Sequence, residues 1–265
     1  MERLCNKLNI VDCFVSIQGE GKYAGYPSIF IRVSGCNLRC CFKDSVCDTP
    51  YSSFKPEKGK WTKEDIIKIL LEYPNIKDIV ITGGEPMLYQ DELADLLRYI
   101  YEQNNNTYAV TIETNGTIPV KPDNNFYVNL YSISPKLKTS VPVAGKAYVI
   151  PNSGEKIFTK EMCDELDKKR INYDAIFSMM DNADYQLKFV YSGDDSVAEI
   201  KDMVNYIKTH MASELPPENI MLMPEGITPE QCSDNGRKAV EVCMENGWTY
   251  TDRLHIRLWG DNRGF

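Results

Sequence analysis

The chain holds no apolar run long enough to cross a bilayer, and its start, Met1-Glu2-Arg3-Leu4-Cys5-Asn6, leads into no signal-peptide core. The sequence therefore predicts a cytoplasmic protein with no membrane partner. Basic charge is also short. The formal net charge of −8 repels polyanions at long range, which sets nucleic acid aside and favours a small-molecule substrate. Histidine is scarce: His210 and His255 are the two in the chain, both far along it from the clustered cysteines. No internal repeat or low-complexity segment appears, which excludes a solenoid or a biased array.

What is present is the balance of a globular protein, 43% apolar and 26% charged, over 265 residues that suffice to bury one sizeable core. A single domain spanning residues 1–265 is expected. The nine cysteines are odd in number and, without a secretion signal, do not read as a disulfide framework. Four of them, Cys36, Cys40, Cys41 and Cys47, fall within twelve residues. Cys163, Cys232 and Cys243 lie in stretches of helical pattern, and Cys5 and Cys13 near the start, so these five read as buried thiols.

Ile29 to Val33 reads as a strand that runs through Ser34-Gly35 into the cysteine cluster. Thr62 and Asp65 form a capping-box start for a helix with Ile66, Ile67, Ile69, Leu70 and Leu71, stopped by Pro74. Ile79 to Thr82 is an apolar strand ending in Gly83-Gly84-Glu85-Pro86, and Leu93, Leu96, Leu97 and Ile100 follow at helical spacing. Further strands are expected at Tyr108 to Ile112, Tyr127 to Ile133, Gln186 to Tyr191, Asn219 to Met223 and Tyr250 to Leu258. Helices are expected at Ser196 to Met211 and near Pro229 to Asn246. Residues 137–182, with their prolines, glycines and charged helical stretch, read as an insertion. About six strands alternating with helices imply a parallel sheet, either doubly wound or an incomplete barrel, with its polar loops converging on one pocket.

Cys36, Cys40 and Cys47 offer three thiolates with no histidine nearby, a soft donor set for an iron-sulfur cluster, zinc or copper(I). Three ligands leave one iron of a four-iron cluster open. A zinc knuckle with Cys41 as fourth ligand is the bland alternative, disfavoured because adjacent ligands strain tetrahedral geometry. In this cluster the chain resembles the radical S-adenosylmethionine superfamily, whose usual pattern is Cys-x3-Cys-x2-Cys. The second gap is six residues here, a departure that only enlarges a loop between fixed ligands. Cys41 remains an alternative to Cys40. Gly83-Gly84-Glu85-Pro86 is similar to the superfamily loop that holds the amino group of the cofactor's methionine, with Glu85 able to accept from an ammonium.

Ser16-Ile17-Gln18-Gly19-Glu20-Gly21, Phe30 to Leu38, Cys47-Asp48-Thr49-Pro50-Tyr51, Glu113-Thr114-Asn115-Gly116, Ser134-Pro135-Lys136 and the tail His255 to Phe265 resemble the 7-carboxy-7-deazaguanine synthases. That resemblance implies a partial (β/α)6-type barrel and conversion of 6-carboxy-5,6,7,8-tetrahydropterin to 7-carboxy-7-deazaguanine with loss of ammonia. It also implies a 4Fe-4S cluster, S-adenosylmethionine and magnesium. By position, Gln18, Gly19 and Glu20 would meet the pterin edge, Arg32 the substrate carboxylate and His255 the substrate, while Thr49 would lend an oxygen to magnesium. Asp48 reads as shaping the loop. Gly83, Gly84, Glu85, Glu113, Asn115, Ser134 and Lys136 would cradle the cofactor. Gln186 and Lys188 alternate on one strand face and stand as possible contributors, whereas His210 serves only its helix end. An external flavodoxin or ferredoxin and a homodimer are implied too. A glycyl-radical activating enzyme shares the cysteines and the Gly-Gly-Glu-Pro loop, and a non-catalytic iron-sulfur or zinc protein explains the thiolates alone. Activity on the free pterin separates these readings.

Overall fold

A computed structural model describes residues 8–43, 45–104, 108–123 and 127–265, so Cys5 lies outside the described residues. The chain opens with an antiparallel pair, β1 (Ile10–Ile17) and β2 (Pro27–Val33). The cysteine segment, a short α1 (Pro50–Ser53) and α2 (Lys63–Glu72) follow. Thr62 caps α2 as expected, with the reciprocal Thr62–Asp65 box in place and the chain leaving the helix at Tyr73. Next come β3 (Asp78–Gly83), α3 (Gln90–Asn104), β4 (Ala109–Thr114) and β5 (Leu130–Ile133). The middle segment contributes β6 (Ala147–Ile150), β7 (Gly154–Ile157), α4 (Lys160–Lys169) and α5 (Tyr173–Met180). The remainder is β8 (Asp184–Tyr191), α6 (Asp195–His210), β9 (Ile220–Pro224), α7 (Pro229–Asn246), β10 (Thr249–Tyr250) and α8 (Leu254–Trp259).

The main sheet has the order β1-β2-β3-β4-β5-β8-β9-β10, parallel everywhere except at β1. Its edge strands β1 and β10 do not pair with each other, so the barrel is incomplete, as the resemblance implies. Alternation decides which side of each strand faces the helices. Ile29, Ile31 and Val33 on β2, Ile79 and Ile81 on β3, Val110 and Ile112 on β4, and Leu187, Phe189 and Tyr191 on β8 all join one core. Each such side chain contributes about 1.5–3 kcal/mol when fully buried. The intervening residues, among them Arg32, Thr82, Glu113, Ser132 and Lys188, line the cavity on the inner face.

Three expectations need correction. The strand from Tyr127 shortens to β5, because the Asn129 side chain, not a strand backbone, receives the Val110 N–H at 2.8 Å. The closing strand is two residues long, and Leu254 to Leu258 lie in α8, whose first residue donates its N–H to Gly19 O at 2.9 Å. β1 is a strand that the pattern reading passed over.

Residues 137–182 divide into two parts. The hairpin β6–β7 and α4 bury Tyr148, Ile150, Phe158 and Cys163 in a satellite core together with Cys41, whereas α5 buries Ile176, Met179 and Met180 in the main core beside β5 and β8. The second part therefore serves as the crossover helix into β8. Because β1 runs against β2, the loop after β1 begins at the end of the sheet opposite the cysteines. It crosses the barrel interior: Lys22 N–H donates to Gln186 Oε1 at 2.8 Å and Gly21 N–H to Thr251 Oγ1 at 2.6 Å. The bond to Thr251 and that of Leu254 tie the two unpaired edges together where strand pairing is missing.

Candidate active site

The cysteine segment explains its own unusual spacing. Cys47 N–H donates to Cys40 O at 3.0 Å, Phe42 N–H to Ser45 O at 2.8 Å, and Cys41 bridges Val46. Backbone pairing on the two sides of the gap thus places Cys40 and Cys47 together at its base. Cys36, Cys40 and Cys47 all line a cavity of about 650 Å3, while Cys41, 1% exposed, packs away from it in the satellite core. Of the two neighbouring cysteines, Cys40 is therefore the one placed for chemistry.

The donor set fits a soft metal cluster. Burial pushes the Cys36 thiol up to about 11 and raises Cys40 as well, the latter opposed by the Lys136 cation. Thiols so protonated are poor free nucleophiles but good ligands once a cation displaces the proton. Among the described residues no three His, Cys, Asp or Glu side chains close on a single ion. Sulfurs that each bond a separate iron of a cube stand further apart than the four ligands of one zinc. Thr49 precedes α1 without capping it, and its hydroxyl lies 3.4 Å from Cys47 Sγ on the cavity wall, where an oxygen ligand for magnesium would sit beside the cluster.

The glycines of Gly83-Gly84-Glu85-Pro86 answer to the protein backbone. A Cβ on Gly83, whose φ is +143°, would lie 2.1 Å from Val33 O, and one on Gly84 would lie 2.0 Å from Gly35 O. The loop is therefore pressed against the root of the cysteine segment, with Gly84 N–H bonded to Val33 O and Glu85 N–H to Gly35 O. Glu85 departs from its expected place. Its carboxylate is fully buried and accepts from Thr114 Oγ1 and Asn115 N at 2.7 Å and Met87 N at 2.9 Å, so it does not reach the cavity that Gly83 and Gly84 line. Burial raises its pKa against those donors. It fixes the loop and the β4 end relative to each other.

Glu113, Asn115, Ser134 and Lys136 reach the cavity from neighbouring strand ends. Asn115 is held by Asn37 at 2.9 Å and by Thr117, and Lys136 donates to Ser134 Oγ at 2.9 Å. Glu113 accepts from Thr82 at 2.8 Å and from Gln18 at 3.1 Å. That last bond joins the two halves of the site.

Gln18, Gly19 and Glu20 enter from the β1 loop, and His255 covers Gly19 so closely that a Cβ there would meet its Nδ1 at 2.1 Å. Glu20 is paired with Lys188 and, at 3.0 Å, with Arg253 Nε, and lies 4.0 Å from His255 Nε2. Burial alone would raise the Glu20 pKa, but the Lys188 and Arg253 cations hold it well below the carboxylate range. Burial lowers His255, against the pull of Glu20, so the imidazole is neutral at pH 7. Arg32 lines the cavity with a buried Nε that has no hydrogen-bond partner among the described residues; Asp12 stands 3.8 Å away. Lys188 reaches the cavity, whereas Gln186 is committed to Ser132 and the Lys22 backbone.

Sequence reasoning missed Arg253, which is 6% exposed and donates to Glu20, to Gly226 O at 2.6 Å and to Asp48 at 2.6 Å. It also missed the ring wall of Phe14 and Phe30, stacked 5.1 Å apart on paired strands. Alternation along β1 was the available signal for the rings. No local pattern marks the arginine, which stands three residues past β10.

A partial parallel barrel with three thiols, a glycine loop and polar strand ends around one cavity defines a radical S-adenosylmethionine enzyme, and residues 30–139 match the model of the Radical SAM superfamily. The chain is 36% identical to the 7-carboxy-7-deazaguanine synthase of Halobacterium salinarum, over 96% of this chain and 91% of that one. With the synthase of Rhodopirellula baltica it shares 34% over 98% of this chain and 89% of the relative. The chain belongs to the 7-carboxy-7-deazaguanine synthase family. A solved structure, that of QueE from Escherichia coli, shares the fold, with a TM-score of 0.61 at 22% identity covering 94% of each chain. The enzyme uses a 4Fe-4S cluster, S-adenosylmethionine and magnesium.

Proposed function

We propose that this cavity converts 6-carboxy-5,6,7,8-tetrahydropterin to 7-carboxy-7-deazaguanine, expelling one ammonia with no net redox change. Cys36, Cys40 and Cys47 hold the cluster and leave one iron for the cofactor. Gly83 and Gly84 offer backbone to the cofactor's methionine end, and Glu113, Asn115, Ser134 and Lys136 take its ribose and carboxylate, with Glu85 bracing the loop from behind. When bound, cluster and cofactor supply a 5′-deoxyadenosyl radical that removes a hydrogen from the substrate carbon bearing the carboxylate.

The protein's own residues bind and orient. Glu20, kept ionised, accepts from the amino-pyrimidine edge beside Gln18 and Gly19, while neutral His255 sits above that edge. The stacked Phe14 and Phe30 give the planar pyrimidine half of the bicycle an apolar wall, and Thr49 lends its oxygen to magnesium, whose remaining ligands are waters and the substrate carboxylate. Arg32 carries the reading: a partly buried guanidinium with a buried, unmatched Nε donor, in the cavity that the three thiols share, is suited to a carboxylate. The chain works as one domain, and a cytoplasmic setting, a homodimer and reduction by a flavodoxin or ferredoxin complete the proposal.

The test is anaerobic cluster reconstitution followed by incubation with the carboxypterin, S-adenosylmethionine, magnesium and reductant. Deazaguanine and ammonia in equal amounts are expected. Cofactor cleavage that leaves the pterin intact would refute the assignment.

A further inference from the structure

Arg32 on β2 and Asp12 on β1 are direct cross-strand partners in the sheet register, the position where opposite charges normally bond. They do not. The Arg32 Nε is 3.8 Å from Asp12 Oδ2 and lacks any hydrogen bond among the described residues, although it is buried. The Asp12 carboxylate is engaged elsewhere. Arg263, in the segment that follows α8, donates Nε to Asp12 Oδ1 at 3.0 Å and to Oδ2 at 3.1 Å, and Nη2 to Oδ1 at 2.9 Å. The same guanidinium meets Glu57 at 3.0 Å and 3.3 Å and stacks 3.8 Å over the Tyr51 ring. A register shift between Ile10 and Asp12 marks an irregularity in β1 at this point.

The juxtaposition has a chemical consequence. A carboxylate next to an anion-binding arginine competes with the anion for the same donors, and a bidentate arginine is the group best able to remove that competitor. Arg263, Asn262 and Gly264 line the same cavity as Arg32. We propose that Arg263 is a positioning residue for substrate-carboxylate recognition: by taking both oxygens of Asp12 it leaves the Arg32 guanidinium free for the carboxylate of the pterin acid. This rests on the substrate reading above. The C-terminal tail thereby acts on specificity through Asp12, without needing to touch the pterin.

The experiment measures equilibrium dialysis of the carboxypterin, and of a tetrahydropterin without the carboxylate, on reconstituted enzyme held without reductant. Arg263→Gln lets Asp12 turn to Arg32 and is expected to weaken the carboxypterin by about tenfold, the scale of one charge-assisted bond, and to leave the carboxylate-free pterin unchanged. Asp12→Asn removes the competitor, so Asp12→Asn alone and the pair Asp12→Asn with Arg263→Gln are expected to bind the carboxypterin within about threefold of the parent protein. A tail that merely latches the fold behaves otherwise. It loses both pterins equally in Arg263→Gln, and Asp12→Asn then weakens binding instead of sparing it; either result overturns the proposal, as does unchanged affinity in Arg263→Gln. Arg32→Gln separates the two levels: if it leaves the preference for the carboxypterin intact, the assignment of Arg32 to the substrate fails and not only the role of Arg263.

Discussion

The two walls of the cavity are built by different physics. On the thiol side the parts are two contiguous motifs fixed by backbone: Cys47 N–H closes on Cys40 O, and Gly83 and Gly84 press against Val33 O and Gly35 O. On the side proposed for the pterin the parts are charges gathered from distant segments, Glu20, Asp48, Lys188 and Arg253 in one network and Asp12, Arg32 and Arg263 in another, with Glu20, Lys188 and Arg253 the shielded members. The first wall tolerates no extra volume. The second depends on ion pairing around Glu20.

The comparison breaks most sharply at the cysteines. Cys36→Ala is expected to abolish the cluster's visible absorbance and all turnover, whereas Cys41→Ala keeps most of each and costs about 1–2 kcal/mol through the satellite core, as urea unfolding will report. Loss of the cluster in Cys41→Ala alone would reverse the ligand assignment.

Glu20→Gln ranks next. It leaves Lys188 and Arg253 buried without their shared anion, a change of about 3–5 kcal/mol in unfolding free energy, and adding Lys188→Met should recover a measurable part. If Glu20→Gln is as stable as the parent protein, the network is not what holds this wall.

Gly84→Ala places a methyl against Gly35 O, and overpacking of this kind costs about 1–3 kcal/mol. Its signature is local: reconstitution should yield less cluster per chain while the affinity for the carboxypterin stays near that of the parent. Equal damage to both would merge the two walls into one unit.

The smallest effect is in pH. Burial holds the folded-state pKa of His255 below its ordinary 6.5, so between the two values the unfolded chain binds more protons and stability rises with pH, reaching its full level above about 6.5. His255→Gln is expected to flatten the rise of the unfolding midpoint on approach to pH 6.5 from the acid side. Glu20 adds nothing in that window, because its depressed pKa keeps it ionised in the folded state and its stabilisation is lost only as pH falls further into the acid range.

How much of this was legible in the sequence follows from the same contrast. Contiguous motifs exposed the thiol wall, and strand alternation with the Thr62 cap exposed most of the barrel, because those signals are local. Arg253 and Arg263 were not legible as site residues, since an isolated arginine in a tail carries no pattern until the fold sets it beside Glu20 or Asp12. Glu85 misled for a related reason: a carboxylate in a ligand-binding loop reads as a contact, and only burial reveals that it is turned inward to Thr114 and Asn115. The strand expected from Tyr250 failed because apolar content near the end of the chain does not distinguish a strand from the short helix that Leu254 begins.

The most direct measurement of whether both walls serve one reaction is hydrogen transfer between their ligands. Carboxypterin deuterated at the carbon that bears the carboxylate, turned over with the reconstituted enzyme, should deliver deuterium to the 5′ position of the recovered S-adenosylmethionine. Deazaguanine formed while the cofactor stays free of label would contradict the account, because the proposed reaction begins with removal of that hydrogen by the cofactor's radical.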